Sequence, residues 1–217
     1  MTTETKTLIG VLVATVVIII AGGLLAGRQS AVPDGFTGNP VAGERLARES
    51  DPFFGPAAGA VTIVEFGDFE CPSCAALVPI MKQVKEENPD VKFVYRQFPL
   101  TQIHEFAQGA AEASLAAHAQ GKFWEYHDVL FANQSQLSRD DLITHAGTVG
   151  LDVDRFTREL DEGVYRGEVL QGVTDGNIVG VRGTPSLFIN NAPYVGPNSV
   201  AAIGQAVTEA RGSTSDQ

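Results

Sequence analysis

Two short runs constrain this chain more than anything else in it. Val61–Phe66 reads VTIVEF and Val91–Phe98 reads VKFVYRQF, both rich in β-branched and aromatic residues. Such runs suit strands buried inside a sheet. Between them Leu77, Ile80, Met81 and Val84 recur at helical spacing, and ENPD at 87–90 stops the helix. Strand, helix and strand within about forty residues make a βαβ unit, so the two strands are predicted to run parallel.

From Ile103 to about Gly180 the pattern turns helical. AQGAAEASLAAHAQ is alanine-rich, FWEYHDVLFAN carries aromatics at helical spacing, and Ser138 ahead of Asp140 and Asp141 marks a helix start. DVDRFTREL starts another helix. GTPSLFIN then returns to strand character, NAPY turns the chain, and NSVAAIGQAVTEAR makes a last helix capped by Asn198 or Ser199. The predicted fold class is α/β with a helical insertion at about 101–178.

Both cysteines of the chain, Cys71 and Cys74, lie where the first strand hands over to its helix, in the stretch FECPSC. A spacing of three on a first helical turn puts both side chains on one face, close enough to bond. Pro72 favours a helix start at this point, which makes Cys71 the cap residue. Its sulfur is expected to be exposed and to face the free N–H groups and positive end of the helix, which lower a thiol pKa. Cys74, one turn inward, is expected to be more buried and to keep a higher pKa. Three other readings compete. Zinc needs four ligands, and His104, His118, His127 and His145 show no zinc-like spacing. A structural disulfide closing so short a loop constrains the unfolded chain little. Two inert thiols fit poorly beside Pro72 and a strand end. Thiol–disulfide exchange accounts best for the pair.

The net charge of −11 and a pI near 4.7 argue against nucleic acid as a partner. Leu8–Ala26, LIGVLVATVVIIIAGGLLA, holds no charge and has the length of a membrane-spanning helix. The alternative is a cleaved signal segment, which normally has a shorter apolar core and a basic start. The expected organisation is 1–28 as cytoplasmic tip and anchor or signal segment, 29–50 as a flexible tether, 51–212 as the folded domain and 213–217 as a disordered tail. VAGERLARES can form one short helix within the tether, and DPFFGPAAGA is read as a loop entering the domain.

VTIVEFGDFECPSCAALVPIM, VKFVYRQFPL, QGKFWEYHDVLFANQ and GVRGTPSLFIN together resemble the thioredoxin fold over about Asp51 to Ala210. More narrowly, they resemble the DsbA-like, BdbD-type branch of membrane-anchored thiol–disulfide oxidoreductases. The resemblance implies that Thr184–Pro185 is a cis-proline loop facing the cysteine pair. It also implies that Thr184 offers its backbone to the substrate chain as a strand partner. Glu65, six residues before Cys71, matches an acidic position of the family. Buried in its strand it would have a raised pKa and exchange a proton with Cys74; otherwise it points to solvent from a strand end. Asp68 and Glu70 are expected to be exposed, Pro79 to kink the first helix, and His127 to pack within the insertion.

The implied activity is disulfide formation in exported proteins through Cys71, Pro72, Ser73 and Cys74, outside the cytoplasm, with no metal or organic cofactor. The implied partners are reduced exported proteins and a quinone-coupled membrane reoxidant of the DsbB or VKOR type, with the chain acting as a monomer. Pro-Ser stands where the best-known DsbA-type enzymes have Pro-His, which leaves a reductase or isomerase as the alternative direction. A redox-inactive peptide-binding module or chaperone is the third reading.

Overall fold

The structure, a computed structural model, describes residues 46–214. The expected anchor at 1–28, residues 29–45 of the expected tether and residues 215–217 lie outside the described residues. No helix among the described residues is long and apolar enough to cross a membrane.

The apolar runs form β2 (Val61–Gly67) and β3 (Val91–Gln97), joined by helix α1 (Pro72–Glu87). They pair in parallel from Val61↔Val91 to Gly67↔Gln97, as a βαβ crossover requires. Five helices follow: α2 (Ala107–His118), α3 (Phe123–Ala132), α4 (Arg139–Thr148), α5 (Val153–Asp161) and α6 (Arg166–Ile178). The chain closes with β4 (Ser186–Ile189), β5 (Ala192–Pro193) and α7 (Val200–Thr214). Ser138 caps α4 through a reciprocal pair with Asp141, and Ser199 accepts from the Ala202 N–H at the start of α7. Helix α7 runs two residues past the expected domain edge at 212.

The stretch read as an entering loop contains a further strand, β1 (Phe53–Phe54), antiparallel to β3. Two residues are too few to show any period, so only the partner strand reveals it. The sheet order is β1-β3-β2-β4-β5, and β4 runs antiparallel to both neighbours.

Alternation along β2 divides the core. Val61 and Ile63 pack under α1 and α7 with Leu77, Met81, Val84, Ile203 and Val207. Val64 and Phe66 face the other side, with Val94, Phe98 and Phe188. A third cluster fills the insertion around Phe69, Tyr95, Tyr126 and Phe156, and both cysteines belong to it. The insertion is therefore packed onto the end of the βαβ unit that carries the thiols.

One buried ionic knot ties the start of the domain to this frame. Arg96 of β3 is 2% exposed, and it donates to Asp175 at 2.9 Å and to the Leu46 carbonyl at 3.1 Å. Asp51 lies 3.3 Å from the same guanidinium, and Arg48 donates to Asp175 at 3.0 Å. Burial raises the Asp51 carboxyl to about 6 against the pull of Arg96. Removing one member of such a group leaves a buried charge without compensation. Asp175→Ala is expected to cost about 3–5 kcal/mol in urea unfolding. A loss below about 1 kcal/mol, the level of an exposed pair, would contradict this role.

Candidate active site

Strand β2 ends at Gly67, and the next residues turn the chain into α1. The Asp68 carboxylate accepts from the Glu70 N–H at 2.8 Å, and the Cys71 N–H donates to the Asp68 carbonyl at 3.1 Å. This side-chain turn leaves Cys71 extended, at φ −75° and ψ 120°, as the N-cap, with Pro72 as the first helical residue. Both cysteines are free thiols, 6% and 0% exposed. Pro72 and Ser73 sit exposed on the rim between them. Active groups of open α/β folds cluster at the carboxyl ends of strands for this reason: the helix starts there.

The second half of the site arrives through β4. Phe66 pairs with Ser186, so the two residues before Ser186 lie just past the end of β2. Those residues are Thr184 and Pro185, joined by a cis peptide bond. The Cys71 thiol donates to the Thr184 carbonyl at 3.4 Å. Cys71 differs from expectation in two ways: it is buried under this loop, and its sulfur makes no capping hydrogen bond to the helix. A protonated thiol is a donor, so it turns to a carbonyl rather than to N–H groups.

Cys74 is covered completely. Burial pushes its thiol far above the ordinary range, and the nearby Glu65 charge adds to the rise; hydrogen bonding from Asp68 and the Thr184 side chain opposes it. The Thr184 hydroxyl is buried without a well-formed hydrogen bond among the described residues. Glu65 is the fifth residue of β2, on the α1 face and in register with Tyr95 of β3, so it does not lie at a solvent-facing strand end. Burial raises its carboxyl to about 7, partly offset by Lys85.

Glu65 is not sealed off. It lines a cleft of about 230 Å³ between α1, α3 and β1, with Val78, Met81, Lys85, Trp124 and His127. Burial lowers Lys85 to about 8, and its ammonium lies 3.7 Å from the Trp124 ring centroid, a cation–π contact. His127 is 5% exposed, holds Asp128 at 2.9 Å, and is kept below its usual pKa by burial. It packs against Phe69, Tyr95 and Phe131.

Asp68 and Glu70 are not the exposed charges expected. Asp68 is 1% exposed, and its second oxygen accepts from the Leu100 N–H and pairs with His104 Nδ1, each at 2.8 Å. Glu70 accepts from the Phe106 N–H at 2.7 Å. Gln134, beyond α3, donates to the Phe69 and Cys71 carbonyls at 2.8 and 2.9 Å and so fixes the cysteine turn. Two distant segments, the 100–106 loop and Gln134, thus hold this turn, and no local sequence signal marks Gln134 or His104 for the task. Pro79 lies inside α1.

Residues 47–209 match the family model described as Thioredoxin. The Na(+)/H(+) antiporter NhaA 3 of Salinispora tropica is 40% identical over 156 residues, 72% of this chain and 24% of that protein. The chain therefore spans about a quarter of the length of the first curated relatives it matches. Among solved structures, a thioredoxin-like oxidoreductase from Silicibacter pomeroyi superposes with a TM-score of 0.71 at 29% identity, covering 78% of this chain and 97% of that one. BdbD from Bacillus subtilis, oxidised, superposes with a TM-score of 0.70 at 21% identity, covering 77% and 96%. The second likeness is one of fold.

The raised Glu65 carboxyl has a measurable consequence. Between its unfolded value near 4.5 and about 7, the folded chain holds a proton that the unfolded chain has released. Glu65 therefore costs stability as pH rises through that window. Glu65→Gln lacks the titration. It is expected to match the parent near pH 4.5 and to exceed it by about 1–3 kcal/mol at pH 8. Denaturant unfolding across pH checks this, and parallel profiles would contradict it.

Proposed function

Because the chain belongs to the thioredoxin family, which its residues 47–209 match, we propose that it is a thiol–disulfide oxidoreductase that forms disulfides in exported proteins outside the cytoplasm. The observation that carries this reading is the meeting of Cys71 with Thr184. The outer sulfur lies 3.4 Å from a backbone carbonyl beside a cis-proline, and the inner thiol is buried one turn behind it.

The oxidised pair is attacked at Cys71 by a substrate thiolate. The Cys71–Cys74 bond breaks as the Cys71–substrate bond forms, and Cys74 leaves as a thiolate. Burial disfavours that charge strongly, so Cys74 takes a proton. Glu65, poised near neutrality and open to water through its cleft, is the group that supplies it. A second substrate thiolate then attacks the substrate sulfur of the mixed disulfide; the substrate disulfide forms, the bond to Cys71 breaks, and Cys71 leaves as a thiolate. The products are an oxidised substrate and a reduced Cys71–Cys74 pair.

The same geometry supports a docking role for Thr184. In the dithiol state its carbonyl is taken by the Cys71 S–H. A sulfur within a disulfide carries no hydrogen, so oxidation frees this acceptor for a backbone N–H of the substrate.

Disulfide formation needs an oxidising compartment, and the apolar run at 8–26 supports placing the domain outside a membrane it is tied to. Reoxidation by a quinone-coupled membrane protein of the DsbB or VKOR type completes this reading. Antiport, named for much longer relatives, forms no part of it. Reduction or isomerisation by the same site is the second reading, favoured by Ser73 at the position of the missing histidine. The reduction potential against glutathione separates them: about −120 mV is expected for an oxidase, and about −270 mV would assign a reductase. Cys71→Ser is expected to abolish exchange, and Cys74→Ser to trap a mixed disulfide with a reduced substrate. Exchange surviving in Cys71→Ser would refute the site, and a parent protein without exchange would favour a binding module.

A further inference from the structure

Beside the cysteines lies a buried hydroxyl that the exchange cycle above does not use. Tyr95 of β3 is 1% exposed, yet its phenolic oxygen has no hydrogen-bond partner among the described residues. Orphans of this kind are rare, because leaving a buried donor unpaired costs stability. Its position is held from several sides. The ring stacks on Phe69 at 5.3 Å and meets the His127 and Phe123 rings at 5.3 and 5.6 Å. The hydroxyl end reaches across β2 at Gly67, where a Cβ would overlap it. Glycine at 67 thus makes room for the phenol at the end of the strand that leads to the thiols. Both thiols and Tyr95 belong to one buried cluster.

A second buried hydroxyl, that of Thr184, approaches Cys74 from the β4 side and favours its charged form. Cys74 thus shares one buried cluster with Tyr95 and is met by the Thr184 hydroxyl from the other side. A neutral thiol is a weak acceptor, and a thiolate is a strong one. A charged Cys74 would offer a hydroxyl in this cluster a far stronger acceptor than the resting thiol does.

We propose that the Tyr95 hydroxyl is a catalytic hydrogen-bond donor, which stabilises the Cys74 thiolate as it forms or departs during disulfide exchange. This rests on the exchange reading above. The charged groups around the pair are Glu65 of β2, Asp68 and Cys71 of the turn, Lys85 of α1 and His127 of α3. Burial, then the Cys74 and Glu65 charges, raises Tyr95 well above its usual pKa, so it keeps its proton throughout. It acts as a donor and not as a base. In the resolving step the Cys74 thiol passes its proton to Glu65, and its thiolate attacks the sulfur of Cys71 in a mixed disulfide. The Cys71–Cys74 bond forms, the bond from Cys71 to the external sulfur breaks, and that sulfur leaves as a thiolate. The Tyr95 hydrogen bond to Cys74 exists only while that sulfur is charged.

The test uses the reduced protein and excess 5,5′-dithiobis(2-nitrobenzoate) in stopped flow. Attack by Cys71 releases one thionitrobenzoate at a rate proportional to reagent. Attack by Cys74 on the resulting mixed disulfide releases a second at a rate independent of reagent. Tyr95→Phe keeps the ring and removes the donor. It is expected to slow the second phase about tenfold at pH 7 and to move its pH midpoint upward. The first phase should not change, and the thermal midpoint should hold or rise because an unpaired buried hydroxyl is gone. A second phase with unchanged rate and pH midpoint would overturn the assignment, as would equal slowing of both phases. A parent protein that shows neither phase would instead overturn the exchange reading beneath it.

Discussion

The pairing of β2 with β4 is the constraint on which the rest of the site depends. It is a short antiparallel ladder, Ile63↔Ile189 to Phe66↔Ser186, and its register has a strict consequence. Slipping it by one residue would turn Leu187 and Ile189 away from the core they share with α1 and α7. The apolar pattern of the strand therefore holds Thr184 and Pro185 level with the cysteine turn, more than a hundred residues away in sequence. Hydrophobic burial, by setting this register, brings a backbone carbonyl to the pair of thiols.

Around that meeting point the two sulfurs occupy unequal positions. Cys71 lies under the Thr184–Pro185 loop, beside exposed Pro72 and Ser73. Cys74 is sealed beneath it, and every surrounding feature bears on whether it can be charged: burial and Glu65 oppose the charge, while Asp68 and Thr184 favour it. Glu65 acts on the Cys74 charge and also lines the cleft, and burial raises its carboxyl to about 7. Lys85 limits how far that carboxyl rises, and Trp124 in turn holds Lys85 by its ring face. The helical insertion that supplies Trp124, His127 and Gln134 therefore borders the cleft and the cysteine turn as well as the core.

The βαβ unit was legible in VTIVEF and VKFVYRQF because strand burial and helical spacing are local patterns. The helix start at Pro72 was legible from the missing N–H of proline. Other features had no local signal. Phe53–Phe54 becomes a strand only because β3 offers it an edge. Asp68 reads as a charge in a loop, and its burial depends on Leu100 and His104 arriving from the far end of β3. Cys71 was expected to turn toward the helix, yet the carbonyl of Thr184, invisible to any local reading, accepts its hydrogen instead. Tyr95 looks like a core aromatic in sequence; only the packing shows its hydroxyl over Gly67, within the buried cluster that holds the thiols. Periodicity reports which face a residue takes, and it does not report which partner waits there.

The most direct test of the account follows the hydrogens. The oxidised protein is mixed with one equivalent of an unstructured peptide carrying two thiols, quenched in acid and weighed by mass spectrometry. The account predicts that the peptide loses two hydrogens as the protein gains two at Cys71 and Cys74, through a transient adduct at Cys71 alone. A peptide left as a dithiol while the protein keeps its disulfide, or an adduct formed at Cys74, would contradict it.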